Sequence, residues 1–146
     1  MKILMVCLGN ICRSPLAHGI LAHIVKREGL VWEIDSAGTG DWHVGQAPDR
    51  RSIAVAQHHG IDISKQRAQH FTPILFQRYD RILVMDQQNY KDVLSLASNE
   101  EDKNKVALFI PNDMVPDPYY DNNLFLPVFQ LIENRCKELI SELQEQ

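Results

Sequence analysis

The chain has 146 residues, 45% hydrophobic and 23% charged, with a formal net charge of −4, which describes one globular domain, residues 1–146, able to bury a core. Mild acidity without a long basic block argues against nucleic acid as a partner, and no apolar stretch approaches the length of a membrane span. Three cysteines in no disulfide-scaffold spacing suit a reducing compartment.

MKILMVC opens with a lysine before an apolar run, a pattern shared with secretory signals. The run from Ile3 to Leu8 is only six residues long, short of the roughly 7–15 of a secretory core, and no small-residue cleavage site follows. Bulky Val6 before Cys7 argues against a lipid-anchored cysteine. Residues 2–7 are therefore expected to form the first strand of a cytoplasmic protein, covered on both faces because the apolar run is unbroken. Ser14-Pro15 predicts a helix start, with Ser14 as cap and Pro15 at the first helical position. Leu16, Ile20, Leu21, Ile24 and Val25 line one stripe of a helix over 15–28, and Gly29 stops it.

LVWEIDSAGT, residues 30–39, predicts a second strand that ends in small residues. Asp49 is placed to cap a helix of roughly ten residues ending at His59-Gly60. DRILVMD (80–86) predicts a third strand, with Asp86 as cap of the helix that follows, and KVALFI (105–110) a fourth. From Leu124 to Leu143 the apolar positions, among them Val128, Ile132, Cys136 and Leu139, recur at helical spacing; Cys136 is expected to be a buried, inert thiol. Alternating strands and helices imply an α/β fold: a doubly wound, four-stranded parallel sheet with helices on both faces. In such a sheet ligands bind beyond the carboxyl ends of the strands. Cys7, Ser36 to Asp41, Asp86 and Pro111 to Asp117 lie there.

CLGNICRS, residues 7–14, joins the first strand to the first helix. Gly9 and Asn10 are residue types that tolerate the left-handed backbone needed to turn successive N–H groups inward. A loop of this kind, closed by a helix N-terminus, is a cradle for an oxyanion. Arg13 can add two parallel N–H bonds to the same anion, and Ser14 can donate to the sulfur. The helix N-terminus and the guanidinium both favour a thiolate at Cys7, an activated nucleophile beneath a bound phosphate. Leu8 and Ile11 would form an apolar collar, with Cys12 also in the loop. In VPDPYYD, Pro116 and Pro118 restrict the backbone around Asp117, which suits a general acid, a role worth ~10²–10⁴ in rate. Trp42, in GDWHVG, and Tyr119 come from loops at the same end of the sheet and can wall a cleft for a flat ring. Arg50 and Arg51 are expected to be solvated charges. The adjacent His58 and His59 do not share a helical face, so a metal site is not expected.

VCLGNICRSP at 6–15, DSAGTGDWHVG at 35–45, YDRILVMD at 79–86 and DPYYD at 117–121 together resemble the low-molecular-weight protein tyrosine phosphatases over essentially the full chain. That resemblance implies phosphotyrosine-containing protein substrates and a hydrolysis that needs no metal and no cofactor. Cys7 would attack phosphorus, Arg13 and the amides of Leu8, Gly9, Asn10, Ile11 and Cys12 would hold the oxygens, and Asp117 would protonate the leaving phenol and then activate water. It also implies that Asn10 and Ser36 hold the loop through their side chains and that Ser14 supports the thiolate. Gln66 and Gln69 stand where relatives often carry histidine and arginine. Arsenate reductases share the loop but shuttle a disulfide through mid-chain cysteines, and none lies between Cys12 and Cys136 here. Arginine phosphatases tend to have threonine at the position of Ile11 and lack the tyrosines of the acid loop. A simple anion binder would need neither Cys7 nor Asp117. Cys7 and Cys12, in one curled loop, are expected to reach the ~4.4–6.8 Å between α-carbons that a regulatory disulfide requires.

Overall fold

Alternation along β1 (Lys2–Cys7) divides the protein into two layers. A computed structural model describes residues 1–145. Successive side chains of a strand point to opposite faces, and here both faces are covered, so positions 3–7 are all buried. Ile3, Met5 and Cys7 enter one apolar cluster with α1 (Arg13–Arg27) and α5 (Phe125–Gln144). Leu4 and Val6 enter the other, with Phe71, Phe76 and Tyr79.

The sheet has four strands in the order β2-β1-β3-β4, with β2 at Glu33–Gly38, β3 at Arg81–Val84 and β4 at Val106–Leu108. All pairings are parallel. The chain leaves β1 first to one side and then to the other, so the order reverses at β1. The carboxyl end of β1, which is Cys7, therefore lies at the switch point where doubly wound sheets bind ligands.

The expected strands and long helices are present, with several corrected bounds. Helix α1 begins at Arg13, and the cap position is Cys12, with no side-chain cap bond. Ser14 does not cap because its hydroxyl is engaged by Asn10 and Cys7 instead. Strand β2 starts at Glu33 rather than residue 30, and Val31 is 96% exposed. Asp49 caps α2 (Arg50–His58) through Arg51 N at 2.8 Å, and Asp86 caps α3 (Gln87–Leu94) through Asn89 N at 2.8 Å. A short helix, α4 (Glu100–Asn104), precedes β4 and takes Lys105 out of the strand. It had no apolar stripe to reveal it; an asparagine cap and an acidic first turn hold it instead. Phe109 leaves β4 but stays buried.

Helix α5 is tied down at two places. Arg135 is buried and donates to Phe109 O at 2.6 Å and to Glu142 at 2.8 Å. Phe129 stacks on the His59 ring with centroids 4.1 Å apart, which gives that histidine a packing role. No helix among the described residues is long and apolar enough to cross a membrane. Phe129 is 0% exposed, and its truncation leaves a cavity in the layer it fills. Phe129→Ala is expected to cost roughly 3–5 kcal/mol, read as a lowered urea midpoint with an unchanged slope.

Candidate active site

Cys7 ends β1 opposite Gly38 of β2, and the loop that follows lies across the end of that neighbour. Gly38 makes this possible: a Cβ there would sit 2.8 Å from Leu8 O and 3.1 Å from Asn10 N. Thr39 N donates to Cys7 O at 2.9 Å and Gly40 N to Leu8 O at 2.8 Å, pinning the loop to the chain beyond β2. Asn10 takes φ 57°, the left-handed conformation expected of it.

The buried Asn10 side chain sets the polarity of everything beneath the loop. Gln69 N can only donate, and it lies 3.0 Å from Asn10 Oδ1, so the amide nitrogen must face the other way. Both of its hydrogens are then engaged, by Ser14 Oγ at 2.7 Å and Ser36 Oγ at 3.0 Å. Ser14 accepts from Asn10, which leaves its own hydrogen for Cys7 Sγ at 3.0 Å, a closer partner than Ala37 O at 3.5 Å. Asn10 N also donates to the sulfur, at 3.3 Å. Two donors converge on Sγ, an environment matched to a sulfur anion.

Three residues join this network differently from expectation. Gln66 donates to Pro15 O at 3.1 Å and does not reach the serines. Gln69 joins through its backbone and through Nε2, which donates to Ser36 O at 2.9 Å. The histidine of the network is His18 on α1, with Nδ1 3.2 Å from Ser36 Oγ. Sequence reading missed it because His18 sits on the helix it shares with the core stripe, with no motif to mark it.

Arg13 is buried at the first position of α1. Its Nη1 donates to Asp86 Oδ2 at 2.8 Å and to Val115 O at 3.0 Å. Burial works against the charge, but Cys7 and Asp86 outweigh it, and the guanidinium is held above its ordinary range. Asp86 was expected to act only as a helix cap. It serves both ends: Oδ1 caps α3 and Oδ2 holds Arg13. Its place at the carboxyl end of β3 was the available signal.

Above the sulfur opens a cavity of about 310 Å³, lined by Cys7, Leu8, Gly9, Ile11, Cys12, Arg13, Trp42, His43, Asp117, Tyr119 and Tyr120. Asn10, Ser14 and Ser36 lie below it rather than in its lining. His43 and Tyr120 were not anticipated as wall residues. Trp42 is 66% exposed and Tyr119 42%, so neither belongs to the core. The Trp42 ring lies against Gly40, where a Cβ would fall within 1.9 Å of it. Asp117 accepts from Tyr119 N at 3.1 Å, a local turn that links acid and aromatic wall. Arg51 is not a free charge: Asp49 holds it at 2.9 Å, Asn122 accepts from Nη1 at 2.6 Å, and its guanidinium lies 5.4 Å from the Tyr119 ring centroid. Arg50 lines the adjoining groove. Burial, followed by the nearby Asp49 charge, pushes the Cys12 thiol up to about 12, so Cys12 is protonated where Cys7 has donors. All three cysteines are free.

The Arg13–Asp86 pair supplies a measurable consequence. Asp86→Ala leaves a buried guanidinium without its counter-charge and removes a cap, and it is expected to cost roughly 3 kcal/mol in urea unfolding. Saturating inorganic phosphate, by giving Arg13 an anion again, is expected to raise the midpoint of the variant more than that of the parent chain.

Residues 2–146 match the family described as low molecular weight phosphotyrosine protein phosphatase. The pig protein named low molecular weight phosphotyrosine protein phosphatase is 33% identical over 98% of this chain and 96% of its own length. A crystal structure of a protein tyrosine phosphatase from Entamoeba histolytica, with Hepes in the active site, superposes with a TM-score of 0.93 at 34% identity, covering 99% of this chain and 97% of that one. Vibrio vulnificus Wzb in complex with benzylphosphonate gives 0.87 at 29% identity, over 97% of each chain. The chain belongs to the low-molecular-weight phosphotyrosine protein phosphatase family, and it is an enzyme of that family's hydrolase class.

Proposed function

We propose that this enzyme hydrolyses phosphotyrosine in protein substrates, in the cytoplasm, through a phosphocysteine on Cys7. The observation that carries the reading is the convergence of Ser14 Oγ and Asn10 N on the Cys7 sulfur at the floor of the cleft. Cys7 is buried, so phosphorus must be delivered down to it on a long, narrow group. Phosphotyrosine carries its phosphate at the far end of a ring, whereas phosphoserine carries it one methylene from the backbone. Benzylphosphonate, the molecule bound by the Vibrio protein, likewise places a phenyl ring beside a tetrahedral anion.

In the first step the Cys7 thiolate attacks phosphorus and the bond to the phenolic oxygen breaks. The electron pair goes to that oxygen, which takes the proton of Asp117 and leaves as tyrosine. Asp86 and Val115 O occupy Nη1 of Arg13, leaving the Nε–Nη2 edge to bind two phosphate oxygens side by side. The loop amides and the start of α1 stabilise the charge of the transferring group. In the second step Asp117, now a carboxylate, takes a proton from water, whose oxygen attacks phosphorus. The thiolate leaves with its pair and inorganic phosphate is released. Leu8 and Ile11 form the collar, and Trp42 and Tyr119 face the phenyl ring.

One set of variants tests this. Cys7→Ser is expected to fold and to lose all turnover. Asp117→Asn is expected to slow phosphotyrosine peptides by ~10²–10⁴, and p-nitrophenyl phosphate, whose leaving group needs less protonation, by less. Trp42→Ala and Tyr119→Ala are each expected to reduce the preference for phosphotyrosine over phosphoserine peptides by up to about tenfold. Turnover retained by Cys7→Ser would overturn the mechanism.

Cys12 gives the cleft a reversible oxidation. Hydrogen peroxide converts the Cys7 thiolate to a sulfenic acid with loss of hydroxide, and the Cys12 sulfur displaces the hydroxyl as water to form a disulfide. Because Cys12 is pushed up to about 12, the resolving thiolate is scarce at neutral pH. Its fraction rises about tenfold per pH unit, and bridging is expected to accelerate accordingly between pH 7 and 9. Peptide mass spectrometry after peroxide reads the bridge directly; sulfonic acid at Cys7 with no bridged peptide would refute it.

A further inference from the structure

The polarity imposed by Asn10 runs past the serines to a residue outside the cleft. Ser36 Oγ accepts from Asn10 Nδ2 at 3.0 Å, and Asn10 Nδ2 cannot receive a hydrogen in return. The Ser36 hydroxyl hydrogen must go elsewhere, and the acceptor within reach is His18 Nδ1 at 3.2 Å. This is possible only when His18 is neutral with its proton on Nε2. We propose that His18 is a positioning residue: its neutral Nε2–H tautomer accepts the Ser36 hydrogen and so secures the outer end of the chain His18–Ser36–Asn10–Ser14, whose direction Gln69 N sets and which delivers a hydrogen bond to the Cys7 sulfur.

Protonation reverses the outer end of this chain. A proton on Nδ1 makes His18 a donor to the second lone pair of Ser36 Oγ, and the Ser36 hydrogen, left without its acceptor, must rotate toward Asn10 Nδ2 or stay unpaired. The Asn10–Ser36 bond is then weakened, and with it the orientation of the amide that also serves Ser14. The inference rests on Cys7 as the nucleophile for its effect on rate, but the hydrogen-bond direction stands on the geometry alone.

The surroundings support the neutral form. Burial disfavours the imidazolium and holds His18 below the ordinary histidine range, against the pull of Asp35 on β2. The Oδ2 of Asp35 accepts from the Tyr79 hydroxyl at 2.7 Å. The segment after α2 presents uncharged amides, with Gln66 on Pro15 O and Gln69 on Ser36 O, and Ser14, one turn earlier on α1, is also uncharged. A lowered value means that the neutral histidine is favoured by the fold. Its contribution is complete above the ordinary histidine range and is lost as pH falls through the folded value.

The test pairs a spectroscopic reading with kinetics. Nitrogen NMR of the His18 ring at pH 7.5 is expected to show the Nε2–H tautomer; an Nδ1–H tautomer would overturn the proposal whatever the enzyme does. His18→Phe removes the acceptor and is expected to lower kcat on p-nitrophenyl phosphate roughly tenfold with little change in KM. His18→Asn offers a non-titrating carbonyl near the Nδ1 position and is expected to restore kcat to within about threefold of the parent. It should also remove from the acid side of the pH profile the component that follows the His18 NMR titration. Equal losses in both variants, or a His18→Phe enzyme with the parental rate and pH profile, would overturn the positioning role. Failure of the nucleophile assignment would show instead as turnover in Cys7→Ser, without touching the tautomer result.

Discussion

A single backbone donor, Gln69 N, orients the loop from Cys7 to Ser14 from below. Because it must donate, Asn10 Oδ1 must face it, and the amide nitrogen then fixes the direction of both serine hydroxyls. One serine is left with a hydrogen for the Cys7 sulfur and the other with a hydrogen for His18. A buried polar group without a partner costs about 1–3 kcal/mol, so a network of this kind has few alternative arrangements. Its members come from β1's loop, α1, β2 and the segment after α2. The loop is therefore held by the whole end of the sheet rather than by its own turns.

The second constraint is charge. Arg13 is buried at the switch point, where a lone guanidinium would be costly. Asp86, from the end of β3, meets it at 2.8 Å while capping α3 with its other oxygen. The β1 and β3 crossovers are thus joined by one carboxylate, directly beside the cleft that Arg13 lines. Because this pair engages only Nη1, charge is neutralised below the cleft while the guanidinium still presents donors upward.

The walls of the cleft obey a looser logic than its floor. Trp42 rests on Gly40, and Tyr119 is backed by Arg51, itself held by Asp49 and Asn122. These side chains are exposed and come from loops, so they can differ without disturbing the sulfur network. Floor and wall differ in kind: buried hydrogen bonds surround the Cys7 sulfur, and exposed aromatic surface lines the way down to it.

Much of this was legible in the chain itself. The unbroken apolar run before Cys7 required a strand covered on both faces, and strand–helix alternation required a parallel sheet. The residue types in CLGNICRS required a tight turn after the strand, and Asn10 takes the left-handed conformation expected of it. Local chemistry decides these matters, since periodicity and φ preferences act within a few residues. The exceptions were equally physical: α4 has no apolar stripe, and Ser14 resembles a cap until the Asn10 amide, four residues earlier, takes its hydroxyl. Asp86 as the partner of Arg13, Arg51 behind Tyr119, and His18 in place of Gln66 beneath the loop were decided by tertiary structure alone. Each depends on a hydrogen bond or ring contact between elements far apart in the chain. A side chain's type limits what it can donate or accept, but only the packed sheet determines which partner stands within about 3 Å of it.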